Sequence, residues 1–149
     1  MKNTTENIVD LIEDWSNTFG LPIKNGKGFP SRDRMELAIK LIDEEFLEFL
    51  SGVDRRELKE VEDGLGDLLW VTIRAMMEFG IDPIETINSI YKSNMSKADF
   101  SDADARTTRQ KYKEQGIETY TKVVGPAFIT YRVGDDKVLK SHKFKEPEL

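Results

Sequence analysis

Two acidic runs set inside helical periodicity constrain this chain more than any other feature. They are Asp43-Glu44-Glu45-Phe46-Leu47-Glu48 and Glu60-Val61-Glu62-Asp63-Gly64-Leu65-Gly66-Asp67. Each lies in a segment whose apolar residues recur every three or four positions, so each predicts an amphipathic helix with carboxylates bordering the core stripe. Glu45 and Glu48 share a face with Ala38 and Leu41, while Glu60, Asp63 and Asp67 form a column that runs on into Trp70 and Arg74. Asp43, Asp54, Glu57 and Glu62 point away from the stripes and read as solvated. Two unit charges ~4 Å apart repel by roughly 4 kcal/mol at an effective dielectric of ~20. Helices that bring Glu45, Glu48, Asp63 and Asp67 together therefore call for a cation. All-carboxylate ligation favours a hard, oxygen-seeking ion, Mg²⁺ or Mn²⁺.

Other function classes are disfavoured. A net charge of −6 argues against phosphate-backbone binding, so no nucleic-acid partner is expected. With no cysteine there is no disulfide framework and no thiolate site, and the single histidine, His142, lies in the tail. A di-iron carboxylate bundle needs Glu-x-x-His on two helices, and the helices carry no histidine. No signal peptide and no apolar run long enough to span a membrane is seen, which with the lack of cysteine gives a cytoplasmic expectation. At 149 residues a single domain is expected over 1–149, with a helical core over about 4–97 and an extension carrying a hairpin over about 105–149.

Along the chain, Thr4 or Thr5 is placed to cap a first helix reaching about Phe19, which Gly20 stops. Residues 21–30, with Pro22, Gly26, Gly28 and Pro30, read as a loop whose Lys24 and Lys27 are either solvated or able to meet a polyanion. A second helix is expected from Ser31 to about Ser51, ended by Gly52. A third is expected from Asp54, in a capping box with Glu57, to Phe79. Gly64 and Gly66 inside it suggest a close approach to its backbone. Asp82-Pro83 opens a fourth helix, with Ile84, Ile87, Ile90 and Tyr91 as its inner face. A short helix follows from about Ala105 to Gln115. Alternation over residues 128–133 then predicts a strand, with a turn at Gly134-Asp135-Asp136 and a partner at Lys137-Val138-Leu139. The fold class is thus mainly α, a helical bundle with a small C-terminal β-hairpin.

Mg²⁺ held by a few carboxylates keeps waters and takes phosphate oxygens as further ligands. A nucleoside polyphosphate is the natural substrate, attacked by a metal-activated water with Glu44 or Glu45 as general base. No Walker loop is present, so basic donors must come from Lys40, Arg74, Lys97, Arg106 or Arg109. Asn94 and Lys97, one turn apart, suit a base-or-ribose plus phosphate pair. Trp15, Phe19, Trp70 and Tyr91 are candidate pocket walls.

The pattern Glu44-Glu45-x-x-Glu48 followed by Glu60-x-x-Asp63, with Asp67 one turn on, resembles the all-α nucleoside triphosphate pyrophosphohydrolases of the MazG-like superfamily. The chain is most similar to its phosphoribosyl-ATP pyrophosphohydrolase-like branch. That similarity rests on Phe19-Gly20-Leu21-Pro22, the run from Asp63 to Val71, Gly80-Ile81-Asp82 and Ser93-Asn94-Met95-Ser96-Lys97. Gly64 stands where many relatives carry a glutamate. The resemblance implies a homodimer or homotetramer and Mg²⁺-dependent hydrolysis of a (d)NTP between the α and β phosphates, giving (d)NMP and pyrophosphate. It implies Glu45, Glu48, Asp63 and Asp67 as metal ligands, Glu60 as a further ligand, Glu44 as base or extra ligand, and Asn94 and Lys97 as substrate contacts. A strict phosphoribosyl-ATP pyrophosphohydrolase and a non-catalytic nucleotide- or protein-binding bundle are the alternatives.

Overall fold

A computed structural model describes residues 7–149. The fold is mainly α with one small antiparallel sheet. The elements run α1 (Ile8–Thr18), α2 (Arg32–Arg55), α3 (Leu58–Glu78), α4 (Pro83–Met95), α5 (Asp102–Glu114), β1 (Thr119–Val124) and β2 (Ala127–Arg132). The chain forms two compact units, Met1–Ile84 and Glu85–Leu149. The boundary falls just inside α4.

In the first unit α1 begins at Asn7, whose Oδ1 accepts from the backbone N–H of Val9 and Asp10 at 2.9 and 3.1 Å. This satisfies two of the free donors that every helix start leaves. The other cap candidates, Thr4 and Thr5, lie outside the described residues. Ile12 of α1 is fully buried against Ile73 and Met77 of α3, with Val9, Ile23 and Trp70 around them.

Helices α2 and α3 form an antiparallel hairpin, and two glycines set its spacing. A Cβ on Gly64 would meet the backbone N and Cα of Phe49 at 2.7 and 2.9 Å, and one on Gly52 would meet Val61 N at 2.9 Å. Gly52 therefore does not end the second helix; it is the buried point where α3 crosses, and α2 continues for one more turn to Arg55. The capping box expected at Asp54 and Glu57 does not form. Asp54 belongs to α2, and Glu57, the N-cap of α3, makes no side-chain cap bond. Arg56, at φ 57°, takes the left-handed turn between the helices. The close approach expected at Gly64 is present; Gly66 has nothing within 4 Å of a built Cβ.

The 21–30 loop docks on the C-terminal end of α3. Lys24 N donates to Met77 O at 3.0 Å and Gly28 N to Phe79 O at 2.9 Å, so two carbonyls left over at the helix end are used. Met77 lies about 15 Å along α3 from Asp67 at 1.5 Å per residue, so Lys24 and Lys27 do not serve the acids. Below the loop, the carboxylate of Glu78 takes a bidentate bond from Arg34 and a second ion pair from Arg74 at 3.0 Å.

In the second unit, β1 and β2 pair in register from Thr119↔Arg132 to Val124↔Ala127, joined by Gly125-Pro126. The expected turn at 134–136 closes a lesser feature, an isolated bridge between Tyr131 and Val138, so Lys137-Val138-Leu139 is no full strand. Helix α5 starts earlier than expected because Ser101 caps it, its Oγ accepting from Asp104 N at 3.1 Å. On α4 the residues expected to face inward are not covered: Ile84, Ile87 and Tyr91 are exposed, and buried Ser93 lies on the opposing side.

Candidate active site

The hairpin sets the two acidic columns on neighbouring helices, α2 and α3. Glu45 on α2 is half-buried, and its carboxyl is raised above the usual range first by burial and then by the charges of Glu48, Asp67, Glu44 and Asp63. Glu45 is thus within electrostatic reach of Asp63 and Asp67 on the facing helix. Gly64 and Gly52 bring the backbones close enough for this.

Among the described residues, no three acidic or histidine side chains stand close enough together to hold a metal ion. By donor type and by charge the acids of the two columns fit a hard divalent cation.

The remaining predicted site residues have partners of their own within each unit. Glu60 is ion-paired with Arg55 across the α2–α3 turn and is not among the charges acting on Glu45. Lys40 lies 3.6 Å from Glu44, an exposed pair one turn apart on α2. Arg74 is buried, bonded to Glu78 and to Pro22 O at 2.9 Å, and burial lowers its pKa. It holds α3 to the preceding loop rather than facing solvent. In the second unit, Lys97 Nζ donates to Asn94 Oδ1 at 2.6 Å. Arg106 is paired with Asp102, and Arg109 donates to Thr121 Oγ1 at 2.8 Å. Both arginines border a cavity of about 470 Å³ that no acid of the first unit lines.

Of the aromatic candidates, Trp15 packs on Phe19 and edge-on to Trp70, with centroids 5.0 and 5.6 Å apart. Tyr91 stands exposed on α4. The sequence reading missed the serines of α4. Ser89, Ser93 and Ser96, spaced four and three apart, all bond the C-terminal tail. A polar stripe at helical spacing was the available signal.

The family model for phosphoribosyl-ATP pyrophosphohydrolase matches residues 13–94, more than half of the chain. The chain belongs to the phosphoribosyl-ATP pyrophosphohydrolase family, within the MazG-like nucleoside triphosphate pyrophosphohydrolase superfamily. It is by that membership a pyrophosphohydrolase acting on nucleotide-like substrates. No curated protein gives a significant match. The matched region holds both acidic columns and ends at Asn94, so Lys97, α5 and the hairpin lie beyond it. No helix among the described residues is long and apolar enough to cross a membrane.

Proposed function

We propose that the protein hydrolyses a ribo- or deoxyribonucleoside triphosphate between the α and β phosphates, releasing the monophosphate and pyrophosphate, with Mg²⁺ or Mn²⁺ held by Glu45, Glu48, Asp63 and Asp67. The observation that carries this reading is the family match over residues 13–94, which holds both acidic columns, on helices that Gly64 and Gly52 bring into close contact. Such a cation, once bound, supplies counter-charge to the phosphates and lowers the pKa of a water. The chain's own residues do the rest. Glu45 is the general base in this reading, placed to take a proton from that water. Glu44, held by Lys40, adds negative charge beside it and is the alternative base. Asn94 and Lys97 offer an amide and an ammonium to base or ribose and to phosphate.

Phosphoribosyl-ATP, the substrate in the matched family's name, is the second reading. Incubation with a panel of nucleoside triphosphates and phosphoribosyl-ATP in Mg²⁺, resolved by ion exchange, tests both. Monophosphate with pyrophosphate, abolished by EDTA, is expected. Release of orthophosphate and a diphosphate contradicts the assigned bond, and no turnover of any substrate leaves a binding bundle.

A cytoplasmic homo-oligomer belongs to the same proposal. Phe46, Leu47, Leu50, Leu65 and Leu69 are exposed on α2 and α3, an apolar face larger than a lone hairpin keeps in water. A second copy of the chain would cover it. A single monomeric species in sedimentation at micromolar concentration contradicts that part.

A further inference from the structure

We propose that the C-terminal tail, residues 140–148, is a clasp that fixes Asn94 and Lys97 as a substrate-contacting pair, with Ser93 and Ser96 as its positioning residues. This rests on the reading of Asn94 and Lys97 as nucleotide contacts. Asn94 and Lys97 sit where α4 ends at Met95. A helix end leaves its last carbonyls without intrahelical partners and frays unless something else binds them.

Here the next turn takes them, with Ser96 N on Lys92 O and Ser93 O, Lys97 N on Asn94 O and Ala98 N on Met95 O, and the tail binds the serine hydroxyls of α4 and of that turn. Ser93 Oγ, buried, donates to Lys145 O at 2.8 Å, and Lys145 N donates to Ser96 Oγ at 2.9 Å. Ser96 Oγ in turn donates to Ser93 O at 2.7 Å. One turn earlier Ser89 Oγ donates to Glu148 O at 2.7 Å. At the other edge of the pair, Ser141 N donates to Lys97 O at 3.2 Å. Just beyond, Asp99 exchanges backbone bonds with Phe128 at 3.0 and 2.8 Å. The segment carrying Asn94 and Lys97 is therefore held from both sides, with the tail bonded directly to the residues that flank each of them.

The tail is itself kept in shape. Lys140 Nζ lies 2.9 Å from Glu146 Oε1 and 4.0 Å above the Phe144 ring. Lys143 and His142 both bond Asp104 of α5. The contacts to α4 are hydroxyl-to-backbone bonds at fixed spacing. Sliding the tail by one residue would break every one of them, so the clasp sets a register as well as an attachment.

The test is steady-state kinetics of the full chain with Mg²⁺ and a triphosphate that the wild type hydrolyses, alongside amide hydrogen exchange. The variants are Ser96→Ala, Ser93→Ala/Ser96→Ala and the hydroxyl-keeping Ser96→Thr. The clasp predicts that KM rises about tenfold in the double variant with kcat within twofold. Amide exchange at residues 94–98 should accelerate while residues 45–50 and 63–70 stay as in wild type, and Ser96→Thr should keep the wild-type KM. A KM within twofold of wild type despite faster exchange at 94–98 overturns the clasp alone. Faster exchange across the acidic helices with a matching fall in kcat also overturns it, since that marks general destabilisation. Should the wild type turn over no nucleotide, the proposed function fails first, visibly, and the clasp's role in substrate positioning fails with it.

Discussion

Gly64 of α3 lies against the backbone of Phe49 so closely that a Cβ there would come within 2.7 Å of Phe49 N. That contact sets the distance between the two acidic columns. Gly66, two residues on, has open space where its Cβ would be. Gly64→Ala must push α2 and α3 apart, at about 1–3 kcal/mol for an overpacked contact. Gly66→Ala should instead stabilise by up to about 1 kcal/mol, the helix-propensity difference. Thermal unfolding of the two variants checks the opposite signs. Gly64→Ala should also weaken Mg²⁺ binding.

Glu78 is the shared carboxylate of Arg34 and Arg74, and both it and Arg74 are buried. Removing one member of a buried ion pair leaves uncompensated charge and costs about 3–5 kcal/mol. Glu78→Gln should therefore lower stability by that order in urea unfolding. Loss of the Arg74 bond to Pro22 O should follow, loosening the loop on α3.

The acids on α2 and α3 are expected to oppose folding when no cation is present. Glu45's carboxyl is raised, so its ionisation costs stability in the metal-free protein as pH climbs through its folded pKa. Neutralising it removes that cost. Glu45→Gln in EDTA at pH 7–8 should be more stable than wild type by about 0.5 kcal/mol, the scale of a like-charge helix pair. It should also lose much of the stabilisation that Mg²⁺ gives the wild type. Melting curves with and without Mg²⁺ measure both.

The tail has its own pH dependence. Asp104 is held down to about 2, first by its bond from Lys143, then by Ser101 and His142. A depressed acid contributes stability above its unfolded pKa of about 4. That contribution is lost as pH falls from there toward about 2. Protection factors around residues 142–143, taken against the intrinsic exchange rate at each pH, should thus fall between those limits, and Asp104→Asn should make them low and nearly pH-independent. Asp135, held to about 2 by Arg132, titrates in the same window at the hairpin and provides the internal comparison.

Helical periodicity made the helices legible, and with them which acids share one helix face, because both depend only on local geometry. Boundaries were not legible where a residue has two uses. Gly52 looks like a helix stop, yet its lack of a side chain serves the crossing with Val61, and that depends on a neighbour distant in sequence. Continuing α2 to Arg55 then gives Glu60 an ion-pair partner that the spacing of acids alone does not reveal. The hairpin turn was misplaced for a similar reason. Gly134-Asp135-Asp136 and Gly125-Pro126 are both turn signals, and only pairing between Thr119–Val124 and Ala127–Arg132 chooses between them. Arg74 continues the acidic column along α3, but its burial with Glu78 follows from the docking of the 21–30 loop.

Divalent-ion binding by the acidic face is the claim on which the functional reading stands, and Mn²⁺ titration followed by electron paramagnetic resonance measures it most directly. Wild type should bind Mn²⁺, Mg²⁺ should displace it, and Glu48→Gln and Asp67→Asn should each lose most of the binding while keeping the helical content of the parent. Uptake of Mn²⁺ by both variants at the wild-type level would contradict the account.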